Sequence, residues 1–126
     1  MKNEDELVEE MNREKHRTLK IWRDALKFAS TIYAITAKFP PDEKFGLTSQ
    51  LRRASVSVSS NIAEGSKRRT EDNRNFLRYA LGSLAECDTQ MFIAQDLGYC
   101  EYTNKLKAQI MALTMGIRGY SSTLKP

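Results

Sequence analysis

Six cations crowd the middle of this chain: Arg52, Lys67, Arg68, Arg69, Arg74 and Arg78. Such a cluster can neutralise several phosphates and hold RNA or DNA through its backbone, without reading bases. Lys67–Arg69 fall in a turn, and Arg74 and Arg78, four residues apart, share one face of the helix that follows. The turn triplet and the helical pair therefore lie at the same end of the molecule. Arg52 sits about three turns back along the preceding helix. Neither an aromatic platform nor a base-reading motif accompanies the cluster, so a solvated basic face is the bland alternative.

A second constellation is polar and periodic. Gln50, Arg53, Ser57, Asn61 and Glu64 recur at helical spacing beside an apolar stripe, and Tyr79, Ser83, Glu86 and Gln90 do the same later in the chain. Two such lines can pair at a helix–helix contact, where small serines permit close approach and the longer side chains exchange hydrogen bonds. A satisfied polar seam fixes register and oligomeric state more than it adds stability. The plainer reading is that both lines face water.

Catalytic chemistry finds little to stand on. Acid–base or nucleophilic work needs convergent titratable groups in a cleft. Here the single histidine, His16, lies at the edge of the folded region. Glu64 and Glu86 are the only candidate inward carboxylates, each with a simpler structural role. The Glu-x-x-His pairs of a di-iron bundle are missing, and Cys87 and Cys100 lack partners in any zinc spacing. The expectation is a non-enzyme with no catalytic residue, no metal and no cofactor.

Composition sets the frame. The chain of 126 residues is 40% hydrophobic and 9% aromatic, which suits one globular domain with its own core. No run approaches the roughly 18 apolar residues of a membrane span and no secretory signal is evident, so a cytoplasmic protein without a membrane partner is expected. The net charge of +4 is unevenly spread: residues 1–14 carry two cations against six anions, whereas residues 44–80 carry eight against three. A fold that returned the acidic segment to the basic one would mask it.

The elements that must position these residues follow from apolar spacing. Residues 1–16 form a charged arm, either a helical extension or disordered, and residues 17–126 form the domain. Thr18 is a candidate N-cap for a first helix with its seam on Leu19, Trp22, Leu26, Ala29, Tyr33 and Thr36, broadened by Ala25 and Ile32. Phe39-Pro40-Pro41 stops it. A second helix, capped by Asp42 or a neighbour, carries Leu47, Leu51, Ala54, Val58 and Ile62 and ends at Gly65, read as a left-handed cap. Thr70 is a candidate N-cap for the third, with Leu77, Ala80, Leu84, Cys87, Met91 and Ala94 inside and Gly98 closing it. The last runs from about Tyr102 through Leu106, Ile110, Leu113, Ile117, Tyr120 and Leu124. Four long helices on short links predict an all-α, antiparallel up-down four-helix bundle.

Three segments carry a resemblance. They are L-T-S-Q-L-R-R-A-S-V-S-V-S-S-N-I-A-E-G at Leu47–Gly65, W-R-D-A-L starting at Trp22, and L-G-S-L-A-E at Leu81–Glu86. Together they resemble the small bacterial family of proteins encoded in intervening sequences of 23S ribosomal RNA genes. Accessory variability determinants of diversity-generating retroelements are relatives of that family. The likeness spans about Leu19 to Leu113 and leaves the arm outside. It implies a left-handed bundle, assembly as a ring-like homopentamer, and a structural role for Asn61, Glu64 and Gly65. It implies further that a basic surface engages nucleic acid and a partner such as a reverse transcriptase. It supplies no catalytic residue. Two functions follow as expectations: non-specific RNA or DNA binding by a homo-oligomer, or a scaffold that docks a partner protein without nucleic acid.

Overall fold

The computed structural model describes residues 1–126, which form six helices and no strand. Two are short: α1 (Glu4–Asn12) and α2 (Lys15–Thr18). Four are long: α3 (Lys20–Thr36), α4 (Leu47–Ser66), α5 (Thr70–Asp96) and α6 (Asn104–Thr123). The long helices share one core, in which α4 touches α3 and α5, and α6 touches α5 and α3. The α4–α5 pair is the most intimate.

That intimacy has a cause in the sequence. The inner face of α4 alternates apolar residues with small ones, so Ala54, Ser55, Val58, Ser59 and Gly65 are all buried. Burying a hydroxyl without a partner is costly. Ser55 and Ser59 avoid this by donating to the carbonyls of Arg52 (2.9 Å) and Val56 (3.1 Å). Helix α5 answers with Ala80, Ser83 and Cys87. Within the V-S-V-S run Val58 and Ser59 are buried while Val56 is exposed, the split that a helix imposes.

The stripes predicted on α4 and α5 are all buried, and on α6 Leu106, Ile110, Leu113 and Ile117 are buried with Tyr120 and Leu124 packed at the margin. On α3 the predicted seam holds at Thr36 and at the flanking Ala25 and Ile32, with Leu19 and Trp22 packed at the core margin, but it fails at Leu26 and Tyr33 and omits Phe28. Ala25, Phe28 and Ile32 are fully buried, whereas Leu26 is 41% and Tyr33 44% exposed. Leu26, Ala29 and Tyr33 form an apolar line beside that of Ala25, Phe28 and Ile32, and contact with α4 and α6 selects the one that includes Phe28.

Several expected caps also need correction. Thr18 ends α2, and the N-cap of α3 is Leu19, which has no side-chain cap. Arg69, not Thr70, is the N-cap of α5. Asp42 lies in a 3-10 turn (Pro41–Glu43), and the N-cap of α4 is Gly46. Glu43 reaches forward from that turn to accept the Leu47 N–H at 3.1 Å. Gly65 is no left-handed cap, because α4 continues through it and the only positive φ belongs to Gly98, at 78°. There the Tyr99 N–H donates to the Ala94 carbonyl and the Gly98 N–H to that of Gln95, both at 2.9 Å, closing α5 with a Schellman turn.

The acidic arm is helical. Asn3 accepts the Glu6 N–H at 2.9 Å while Glu6 accepts the Asn3 N–H at 3.3 Å, a reciprocal capping box. Helix α1 buries nothing. Helix α2 returns toward α4, where Glu14 meets Lys67 at 3.1 Å.

Candidate nucleic-acid interface

The end of α4, the start of α5, the end of α6 and the returning α2 meet at one end of the molecule. The turn Lys67–Arg69 arises there because α4 stops at Ser66 and α5 starts again at Thr70. Three exposed cations are thereby presented together. Lys67 pairs with Glu14, and Arg68 pairs with Glu64 one turn back while lying 5.5 Å from the Phe76 ring centroid. The Glu64 carboxylate pushes the Arg68 guanidinium further up, so it stays charged. Arg69 forms no ion pair or side-chain hydrogen bond, and Arg78 holds only the neutral Asn75.

Two of the six predicted cations are used inside the fold. Arg52 Nε donates to Thr36 Oγ1 at 2.8 Å, Nη2 reaches the Tyr33 carbonyl at 3.4 Å, and the guanidinium lies 4.5 Å from the Tyr33 ring centroid. It closes the C-terminal end of α3, where free carbonyls attract a cation. Arg74 donates from Nη2 to the Leu124 carbonyl at 2.7 Å and pairs with Glu71 at 2.8 Å. It straps the chain after α6 onto α5. Arg52 therefore lies away from the basic end, while Arg74 lies within it as a fastening.

Sequence reasoning missed four residues at this end. A cleft of about 390 Å³ is lined by Lys15, Arg68, Arg69, Asn73, Tyr120 and Lys125, among others. Lys15 was read as part of the arm, Tyr120 as core, and Asn73 and Lys125 carried no periodic signal. They converge only because segments far apart in sequence return to one place.

The polar seam is partly made. Arg53 Nη2 meets Glu86 Oε2 at 3.5 Å and Gln90 Nε2 donates to Gln50 Oε1 at 3.4 Å, both across α4 and α5. Asn61 instead donates back to the Ser57 carbonyl at 2.8 Å and hydroxyl at 3.1 Å, and Glu64 turns to Arg68. Ser83 is buried beside this line, and Tyr79 is exposed with its ring edge-on to Phe76. The Arg53–Glu86 pair is too exposed to contribute much.

No group of three or more His, Cys, Asp or Glu side chains gathers to hold a metal ion, and no helix is long and apolar enough to cross a membrane. His16 packs edge-on against Trp22, with centroids 5.0 Å apart. Fold and surface together define a small all-helical protein with a basic end. The chain belongs to the 23S rRNA-intervening sequence protein family, whose model matches residues 17–118. No match is found among curated proteins.

Proposed function

We propose that this protein is a non-enzymatic, cytoplasmic, left-handed up-down four-helix bundle that assembles into a homo-oligomeric ring, a pentamer by family resemblance, and binds RNA or DNA non-specifically. The observation that carries the reading is the concentration of Lys15, Lys67, Arg68, Arg69, Arg78 and Lys125 around one end of the helices; of these six only Lys67 and Arg68 have carboxylate partners, while Arg74 at the same end is held by Glu71. Repetition of that end around a ring axis multiplies its field. The family's tie to ribosomal RNA genes supports a nucleic-acid partner.

Self-association falls on the groove between α5 and α6. These helices pack less closely than α4 and α5, and leave a cleft lined by Leu81, Ile110 and Met111 with Asp88, Lys107 and Arg118 beside them, and with Phe92 against Tyr102 at its edge. An apolar strip of this kind suits a second copy of the chain.

Light scattering for mass, followed by RNA and DNA binding across a salt series, tests the reading. Phosphate contacts make log K fall with log salt by about 0.7–0.9 per phosphate neutralised. Neutralising Lys67, Arg68 and Arg69 together should flatten that slope and weaken binding. A ring that binds neither nucleic acid would leave the second reading, a scaffold for a partner protein such as a reverse transcriptase. The same apolar strip favours that reading, and its affinity would barely respond to salt.

A further inference from the structure

We propose that the cleft at the basic end is a phosphate-monoester site, and that its occupant is a phosphorylated end of a nucleic-acid strand. The choice of strand rests on the nucleic-acid reading; the phosphate chemistry rests on the cleft itself. Four cations line it, Lys15, Arg68, Arg69 and Lys125, and no carboxylate does. Glu64 holds Arg68 from the rim, whereas Lys15, Arg69 and Lys125 form no ion pair. Glu71 and Asp72 line a neighbouring cleft that shares Arg69 and Thr70, and the Asp72 charge adds to that of Glu64 in keeping Arg68 protonated.

The remaining lining looks built for a polar guest. Asn73 is almost fully buried and its side chain forms no hydrogen bond; its Oδ1 is turned against Gly65, which leaves the amide Nδ2 as the group that can serve the cleft. Tyr120 contributes a buried hydroxyl that is also without a partner. Buried polar groups in native proteins are nearly always satisfied, and an unpartnered hydroxyl among the residues that line a cleft marks a place for a missing acceptor. Both residues can donate, Asn73 through its amide and Tyr120 through its hydroxyl. Thr70, at the first turn of the 27-residue α5, adds the positive end of a helix whose N-cap has no side-chain partner.

The cleft is also held open from one side. Thr70 Oγ1 donates to the Lys125 carbonyl and Arg74 to that of Leu124, so the segment after α6 forms a fixed wall. The volume of about 390 Å³ exceeds that of a lone phosphate and leaves room for part of a sugar. A terminal monoester carries close to two charges and three free oxygens, against one charge for an internal diester. Convergent donors inside a cleft favour the former.

The test compares one labelled single strand in three forms, with 5′-phosphate, 3′-phosphate or hydroxyl ends, bound to the full chain. One phosphorylated form should bind about tenfold tighter than the hydroxyl form, and inorganic phosphate should erode the advantage. Tyr120→Phe and Arg69→Ala should each reduce it. Because the Tyr120 hydroxyl is buried without a partner within the protein, Tyr120→Phe should not lower the melting temperature, which separates a ligand role from a structural one. Equal affinities for all three forms would overturn the proposal and leave general nucleic-acid binding intact. Should no strand bind, that general reading fails with the strand-end occupant, while inorganic phosphate shifting the Asn73 and Tyr120 NMR signals would still uphold the phosphate cleft. Absence of such shifts would overturn both.

Discussion

Gly65 and Asn73 stand so close that a Cβ added to the glycine would lie 2.6 Å from Asn73 Oδ1. The same atom would come within 2.9 Å of the Phe76 Cβ and 3.2 Å of the Asn73 carbonyl oxygen. The last turn of α4 can therefore press on the first turns of α5 only because residue 65 has no side chain. Asn73 is also one of the residues that line the basic cleft.

Gly65→Ala should accordingly destabilise the fold by about 1–3 kcal/mol, the usual cost of overpacking. Gly82→Ala provides the opposite sign. Residue 82 is exposed within α5 and a Cβ there meets nothing within 4 Å. Alanine at that position should add about 0.5–1 kcal/mol. Chemical denaturation of both variants checks the pair, and a tolerated alanine at 65 would refute the close-contact account.

Arg52 and Arg69 should separate stability from binding. Arg52→Ala removes two hydrogen bonds and a cation–π contact at the end of α3, and should cost about 1–2 kcal/mol while leaving nucleic-acid affinity nearly unchanged. Arg69→Ala should do the reverse. Melting curves and binding isotherms on both variants decide it, and loss of binding in Arg52→Ala with an unchanged melt would return Arg52 to the interface.

Glu43 ties two loops together. One of its oxygens accepts the Leu47 N–H, and the other accepts the Tyr99 hydroxyl at 2.8 Å. The backbone bond first, then the Tyr99 bond, hold its carboxyl below the usual 4.5. The Glu43 bond in turn raises the Tyr99 phenol above its usual 10. A depressed carboxyl contributes stability above pH 4.5 that is lost as pH falls below it. A raised phenol contributes stability that is lost as pH rises through 10. Tyr99→Phe should lower the melting temperature at neutral pH, and the difference from wild type should shrink in acid. A difference that is constant from pH 7 to pH 3 would sink this assignment.

The two thiols should behave differently. Burial, then the neighbouring Glu86 charge, pushes Cys87 up to about 12, and Cys100 is raised by partial burial alone. Thiolate is the reactive form. In the native protein near pH 8 an alkylating reagent should modify Cys100 slowly and Cys87 only after denaturant is added, as counted by mass spectrometry. Equal rates for both in the native state would contradict the buried placement of Cys87.

Much of the fold was legible because helical packing writes itself into spacing. The stripes Leu47–Ile62, Leu77–Ala94 and Leu106–Ile117 each present one unbroken apolar line, so only one face of α4, α5 and α6 could turn inward. Gly98 was legible for the same local reason, since a left-handed residue after an apolar stripe favours glycine. The family likeness was carried by Leu47–Gly65, the segment whose small residues make the tight α4–α5 contact.

Other features depended on contacts between residues far apart in the chain. Helix α3 has two plausible apolar lines, and only its neighbours chose Phe28 over Leu26 and Tyr33. Residue type marked Arg52 and Arg74 as phosphate contacts, but their partners, Thr36 and the Leu124 carbonyl, lie 16 and 50 residues away. Gly65 reads locally as a cap and is globally a contact point. The cleft itself combines Lys15, Asn73, Tyr120 and Lys125, which no period relates. Sequence alone determined the four long helices and which faces of three of them are apolar, because both are set within a few turns. Tertiary structure decided which charges remain available to a ligand, because that depends on what the returning chain places beside them.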